Sequence, residues 1–220
     1  MSNSSISIVV FDADGTIFDS MPFYTKLFSS MLNAAYGIPL AESSAYYNSS
    51  AGMLLNKQFE AILTMYKKPT DAIQNLVDEF FKKASKKIPD IFEDVKSSLK
   101  ALSDYTIFIS TGTRQDMLDK RIKRHKLNAY VEKWFGVNGF KGKEDHFNEI
   151  SKIYNFSGKE FRKSVVFVGD GASDMKLARK LGILGIGRTG TVDAKSLKMA
   201  GARYTVNSLS EVKEILESIT

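Results

Sequence analysis

Two pairs of aspartates in this 220-residue chain, Asp12 with Asp14 and Asp170 with Asp174, stand just past short apolar runs. Asp12 closes the run Ile6-Ser-Ile-Val-Val-Phe11 and is followed by Ala13-Asp14-Gly15-Thr16, while Asp170 comes one residue after Val165–Val168. Ser110, Thr111 and Gly112 follow a third run, Tyr105–Ile109, and Lys141 and Lys143 come after a fourth, Trp134–Val137. Crowded carboxylates repel one another and raise each other's proton affinity. A hard divalent cation removes that conflict, since Mg²⁺ takes oxygen ligands and commonly binds one or two carboxylates together with phosphate and water. Hydroxyls, a lysine and loop N–H groups suit the remaining phosphate oxygens, and a carboxylate can itself attack phosphorus. The residue types therefore point to phosphoryl chemistry around Mg²⁺.

These groups meet only if the runs that carry them are strands of one sheet. The runs are short, apolar and rich in β-branched residues, as buried strands are. From Pro89 onward helices over 91–102, 114–126, 143–154 and 174–181 alternate with strands over 105–109, 134–137, 165–168, 183–186 and 203–206. Such alternation predicts a parallel sheet covered on both faces, and open parallel sheets present ligands at the carboxyl ends of their strands. The stretch after the first strand has another character. Met21–Ala35, then Met53, Leu54, Phe59, Ile62 and Leu63, then Ile73, Leu76, Val77, Phe80, Phe81 and Ala84 have helical spacing. Lys68-Pro-Thr-Asp71 supplies a break and an N-cap before the last of these. The fold class is α/β, a doubly wound parallel sheet with an inserted helical unit.

Phe11-Asp-Ala-Asp-Gly-Thr16, Ile107-Phe-Ile-Ser-Thr-Gly112 and Val168-Gly-Asp-Gly-Ala-Ser-Asp174 resemble, in order and spacing, motifs one, two and four of the haloacid dehalogenase-like hydrolase superfamily. The helical block resembles that family's cap, entered through Ile17-Phe-Asp-Ser20, and the resemblance covers nearly the whole chain. It implies a Rossmann-like core of residues 1–17 and 88–220 with a cap over 18–87, in the phosphoglycolate phosphatase-like branch. The implied activity is hydrolysis of a small phosphate monoester, a phosphorylated metabolite, through an aspartyl-phosphate on Asp12. By the same resemblance Asp12 would also bind Mg²⁺. Asp14 would protonate the leaving alkoxide, then deprotonate water, and lend its backbone carbonyl to the metal. Asp170 would be a metal ligand, and Asp174 would orient a bound water or the lysine. Ser110 would hold the phosphoryl oxygens, with Thr111 beside it. The third motif needs one lysine, Lys143 at the start of a helix or else Lys141. Asp14 must be protonated to donate, and crowding by Asp12 favours that form.

Other readings of these features are weaker. Asp-x-Asp-Gly alone is an ordinary turn sequence, and a calcium-binding EF-hand loop fails because Phe23 stands where its closing glutamate belongs. Gly185-Ile-Gly-Arg-Thr-Gly190 has the dinucleotide spacing but no acidic residue some 20 positions on; a tight connection is expected, with Arg188 near the rim of the site. The basic run Lys120–Lys126 reads as a solvated helix face, and His125 and His146 as surface or capping residues. A phosphomutase or a phosphonatase of the same fold, the latter with Lys26 or Lys57 as its cap lysine, and a non-catalytic phosphate-binding protein are the alternatives. A haloacid dehalogenase has no use for Asp14. The absence of cysteine excludes disulfides and thiolate metal sites, and two histidines exclude a three-histidine zinc site. A formal charge of +6 suits an anionic substrate. No nucleic acid partner, signal peptide or membrane span is expected, and a cytoplasmic monomer or homodimer is the default.

Overall fold

The structure, a computed structural model, describes residues 6–138 and 142–219. Strand β1 (Ile8–Phe11) is followed by helices α1 (Met21–Tyr36), α2 (Leu40–Ser49), α3 (Leu55–Met65) and α4 (Ile73–Ala84). Then come α5 (Val95–Ala101), β2 (Thr106–Arg114), α6 (Gln115–His125), β3 (Lys133–Val137), α7 (Lys143–Ile153) and α8 (Gly158–Ser164). The chain closes with β4 (Val165–Gly169), α9 (Ala172–Leu181), β5 (Leu184–Arg188), α10 (Ala194–Ala200), β6 (Tyr204–Val206) and α11 (Glu211–Ser218). The strands form one six-stranded sheet in the order β3-β2-β1-β4-β5-β6, and every pairing is parallel.

The alternation of side chains along each strand builds two cores. Val9, Phe11, Ile107, Ile109, Val166 and Val168 pack under α5, α6 and α11. Ile8, Val10, Phe108, Val165 and Phe167 pack under α7, α8 and α9. A sheet buried on both faces explains why its strands read as continuous apolar runs. The strand order reverses between β1 and β4, and α/β sheets bind ligands at such a switch point. Asp12 and Asp170 stand at the carboxyl ends of those two strands, and Asp12 N donates to Val168 O at 2.8 Å.

Helices α1 to α4 have a core of their own, an aromatic cluster of Tyr24, Phe28, Tyr47, Phe59 and Phe80 in which Phe28 stacks on Phe59 at 4.7 Å. The segments entering and leaving this unit lie side by side, where Phe18 bridges to Ile91 and Asp19 N donates to Asp90 O at 2.9 Å. Among the described residues, no helix is long and apolar enough to cross a membrane.

Several expectations change. α2 was not foreseen, because its only buried residues are Ser43 and Tyr47 and it carries no apolar stripe. α8 was also missed, although Ser157 and Glu160 form the reciprocal hydrogen bonds of a capping box. α4 starts after Ala72, and no side chain caps it. His146 is fully buried instead of lying on the surface, and Arg121 from the basic run is 2% exposed. β2 runs on through Ser110, Thr111 and Thr113 instead of ending at Ile109.

Candidate active site

The carboxyl edge of the sheet brings together Asp12, Asp14, Asp170, Asp174 and Lys143. Lys143 opens α7, and its ammonium is buried between Asp12 Oδ1 at 2.6 Å and Asp174 Oδ1 at 2.7 Å. Asp174 also accepts from Gly171 N at 3.2 Å, which fixes the carboxylate that orients the lysine. The alternative, Lys141, lies outside the described residues. Gly15 has φ +79°, and a β-carbon there would fall 1.9 Å from Asp170 Oδ2. Glycine is therefore needed both for the turn and for the close approach of Asp170.

Asp12, Asp170 and Asp174 each offer a carboxylate oxygen within 4.8 Å of the others. Burial raises Asp12 well above the ordinary carboxylate value; Lys143 opposes this, while Asp174 and Asp170 add to it. Burial and the Asp174 carboxylate push Asp170 up to about 7. Asp170 Oδ2 is buried, and among the described residues no hydrogen bond reaches it. One lysine against three buried acids leaves negative charge uncompensated. This donor set fits a hard, oxygen-preferring dication.

Asp14 sits in a different environment. Its Oδ1 accepts from Ser20 Oγ at 2.7 Å and from Arg121 Nη1 at 2.8 Å, and its Oδ2 accepts from Thr113 Oγ1 at 2.6 Å. Burial alone would raise its pKa, but the Arg121 guanidinium and these hydrogen bonds outweigh it and hold the group below the ordinary value. The expectation that crowding keeps Asp14 protonated is thus reversed. Arg121, expected on a solvated helix face, supplies a buried positive charge instead.

Strand alternation separates the two predicted hydroxyls. Ser110 shares the face of Phe108, where α7 packs, and its Oγ lies 2.8 Å from His146 Nδ1. Thr111 and Thr113 share the other register and line the cavity with Asp12, Asp14 and Lys143. Ser110 does not line it. The cavity measures about 70 Å³, and its far wall comes from the helical unit: Met21, Tyr24, Tyr47, Leu55, Phe80 and Phe81.

Arg188 is buried and braces the site from behind, donating to Thr16 O at 2.9 Å and pairing with Asp94 at 3.2 Å. Gly185 and Gly187 let β5 pack closely on Ala178 and Leu197, as a tight connection requires. Sequence reasoning missed Arg121, Thr113 and Ser20. The signal for Thr113 was the length of β2, since period two places it beside Thr111.

The haloacid dehalogenase-like hydrolase family matches residues 9–187, a span that holds the whole constellation and the helical unit, and the chain belongs to that family. A phosphoglycolate phosphatase of Vibrio vulnificus is 21% identical over 226 residues, covering 98% of each chain. Among solved structures, a hydrolase from Pseudomonas syringae superposes with a TM-score of 0.82 at 20% identity, over 97% of this chain and 99% of that one. A haloacid dehalogenase-like family protein of Streptococcus pneumoniae gives 0.79 at 21%, over 98% and 99%. At these identities the superpositions show the shared fold.

Proposed function

We propose that this chain is a Mg²⁺-dependent phosphatase that hydrolyses a small phosphate monoester in the cytoplasm, with Asp12 as nucleophile. The observation that carries the reading is the placing of Asp12. It is buried at the switch point, salt-bridged to Lys143 at 2.6 Å and within 4.8 Å of two further acids. Residues 1–17 and 88–220 act as the catalytic core and 18–87 as the cap.

Asp12 and Asp170, with the backbone carbonyl of Asp14, would hold Mg²⁺, and the ion would offset the charge of the carboxylates and of the phosphate. Thr111 and Lys143, rather than Ser110, hold the phosphoryl oxygens. An Asp12 carboxylate oxygen attacks phosphorus, the bond to the leaving oxygen breaks, and Asp14 delivers a proton to that oxygen. Held as a carboxylate by Arg121, Asp14 takes this proton from the phosphate monoanion and passes it to the leaving oxygen. In the second half Asp14 takes a proton from water, the water oxygen attacks phosphorus, and the Asp12–phosphorus bond breaks to release phosphate.

The cavity wall supports a small leaving group without charge. A volume of about 70 Å³ accommodates about five waters, and among the described lining residues Lys143 is the one cation. A second anionic group on the substrate would find no further cation among the described lining residues and would meet mostly aromatic and aliphatic side chains, with Gln58 the polar side chain that the helical unit contributes. Lys26 and Lys57 do not line the cavity, and Lys57 pairs with Glu60 at 2.7 Å, which disfavours a phosphonatase.

The test is turnover of p-nitrophenyl phosphate with Mg²⁺ and with EDTA, followed by a panel of phosphorylated metabolites. Activity should vanish in EDTA, and monoesters with uncharged leaving groups should outrank carboxylated ones such as 2-phosphoglycolate. Full turnover in EDTA would refute the reading.

A further inference from the structure

Arg121 lies in the middle of α6, and its side chain is 2% exposed. A buried guanidinium is tolerated only when it is paired and hydrogen-bonded, and this one divides its donors between two residues of the catalytic cavity. Nη1 donates to Asp14 Oδ1 at 2.8 Å, and Nη2 donates to the hydroxyl of Tyr24. The cation also lies 5.5 Å from the Phe18 ring centre and 5.6 Å from that of Tyr24. Asp14 and Tyr24 both line the cavity, Asp14 from the loop after β1 and Tyr24 from α1 of the helical unit. One core side chain thus holds the carboxylate and, at the same time, the cap residue facing it.

The other hydrogen bonds to Asp14 complete this restraint. Ser20 shares Oδ1 with Arg121, and Thr113 occupies Oδ2, so both oxygens are fixed. We propose that Arg121 is a positioning residue: it aims the Asp14 carboxylate at the leaving oxygen and, through Tyr24, ties that aim to the seating of the cap. The inference rests on the reading of Asp14 as the acid–base group.

The test is a leaving-group series on Arg121→Met, Arg121→Lys, Tyr24→Phe and Asp14→Asn, with active sites counted by burst titration. An alkyl phosphate needs its leaving oxygen protonated, whereas p-nitrophenyl phosphate needs this far less. Misaimed proton transfer therefore lowers kcat/KM, which reports the step that expels the leaving group, on the alkyl ester more than on the aryl ester. Arg121→Met should lose about 10²-fold in kcat/KM on the alkyl ester, the scale of a misplacement near 1 Å, with a smaller loss on the aryl ester. Arg121→Lys should recover part of the difference. Tyr24→Phe, which keeps the ring and removes the hydroxyl, should shift the ratio the same way by less. In an Asp14→Asn background, Arg121→Met should add almost nothing.

A merely structural role would lower the count of active sites and leave the alkyl-to-aryl ratio of kcat/KM unchanged; that result overturns the proposal. If Arg121→Met does not fold, the ratio in Arg121→Lys and Tyr24→Phe decides in the same way. If Asp14→Asn itself shows no leaving-group dependence in kcat/KM, the acid–base reading fails and the proposal falls with it. A shifted ratio in Asp14→Asn with unshifted ratios in the Arg121 and Tyr24 variants sinks the proposal alone.

Discussion

The carbonyl oxygen of Ala51 occupies the space beside Gly171 so closely that a β-carbon on Gly171 would fall 2.3 Å from it. Ala51 lies in the segment between α2 and α3, and Gly171 precedes α9, so the helical unit rests on the turn that follows Asp170 and leads into α9, whose first turn carries Asp174. Gly52 adds to this contact, since a β-carbon there would fall 2.9 Å from Asp174 Oδ2.

Gly171→Ala should therefore push the helical unit off the site without straining the backbone, because Gly171 has φ −99°. The expected loss in kcat/KM is about 10²-fold, the scale of a small misplacement at a reacting centre. The thermal unfolding midpoint should change little. Wild-type kcat/KM in this variant would show that the contact between Ala51 and Gly171 plays no part in turnover.

Lys143 is the buried cation that offsets Asp12 and Asp174. Breaking a buried pair by removing one partner costs about 3–5 kcal/mol, so Lys143→Met should be destabilised on that scale and inactive. Added Mg²⁺ should raise its melting temperature by more than it raises that of the wild type, because a dication supplies the lost positive charge. Equal Mg²⁺ effects on the two proteins would argue against a shared role for lysine and metal.

The strands and the acids were legible because both faces of the sheet are buried and the catalytic residue types interrupt the apolar runs. Asp12 and Asp170 could be placed at strand ends for that reason, whereas the lysine was offered only as Lys143 or Lys141. What escaped depended on information spread across the fold. Whether Ser110 or Thr111 faces the cavity follows from alternation, but only once β2 is known to continue to Arg114. Arg121 lay hidden because a basic run normally marks a solvated face; its burial is dictated by Asp14 and Tyr24, distant in sequence. The lack of apolar periodicity in α2 left that helix unseen.

His146 should make the fold acid-sensitive. Its ring is buried, stacks on Phe135 at 5.4 Å and meets Ser110 Oγ at 2.8 Å. Burial and the nearby Lys143 cation lower its pKa from 6.5 to about 4, against an opposing pull from Gly136 and Asp145. A depressed folded-state value means that the unfolded chain takes up the proton first. Stability from the neutral ring is fully present above about pH 6.5 and is lost as pH falls toward about 4. The loss should be on the order of 3 kcal/mol. Urea unfolding at a series of pH values should show this slope in the wild type and a flatter one in His146→Gln. Parallel slopes would show that His146 is not the group responsible.

In the proposed mechanism phosphate passes through Asp12, and Asp14 serves the transfer on both sides of the intermediate. Asp14→Asn keeps the nucleophile and removes the base that activates water, so hydrolysis should slow by roughly 10²–10⁴-fold. A substrate with a good leaving group, such as acetyl phosphate, should still phosphorylate this variant, and the phosphoenzyme should persist. The decisive measurement is mass spectrometry of acid-quenched Asp14→Asn after acetyl phosphate and Mg²⁺. One added phosphoryl group on the peptide containing Asp12, absent from the Asp12→Asn, Asp14→Asn double variant, is the result predicted here. Label on another residue, or wild-type turnover by Asp12→Asn alone, would contradict it.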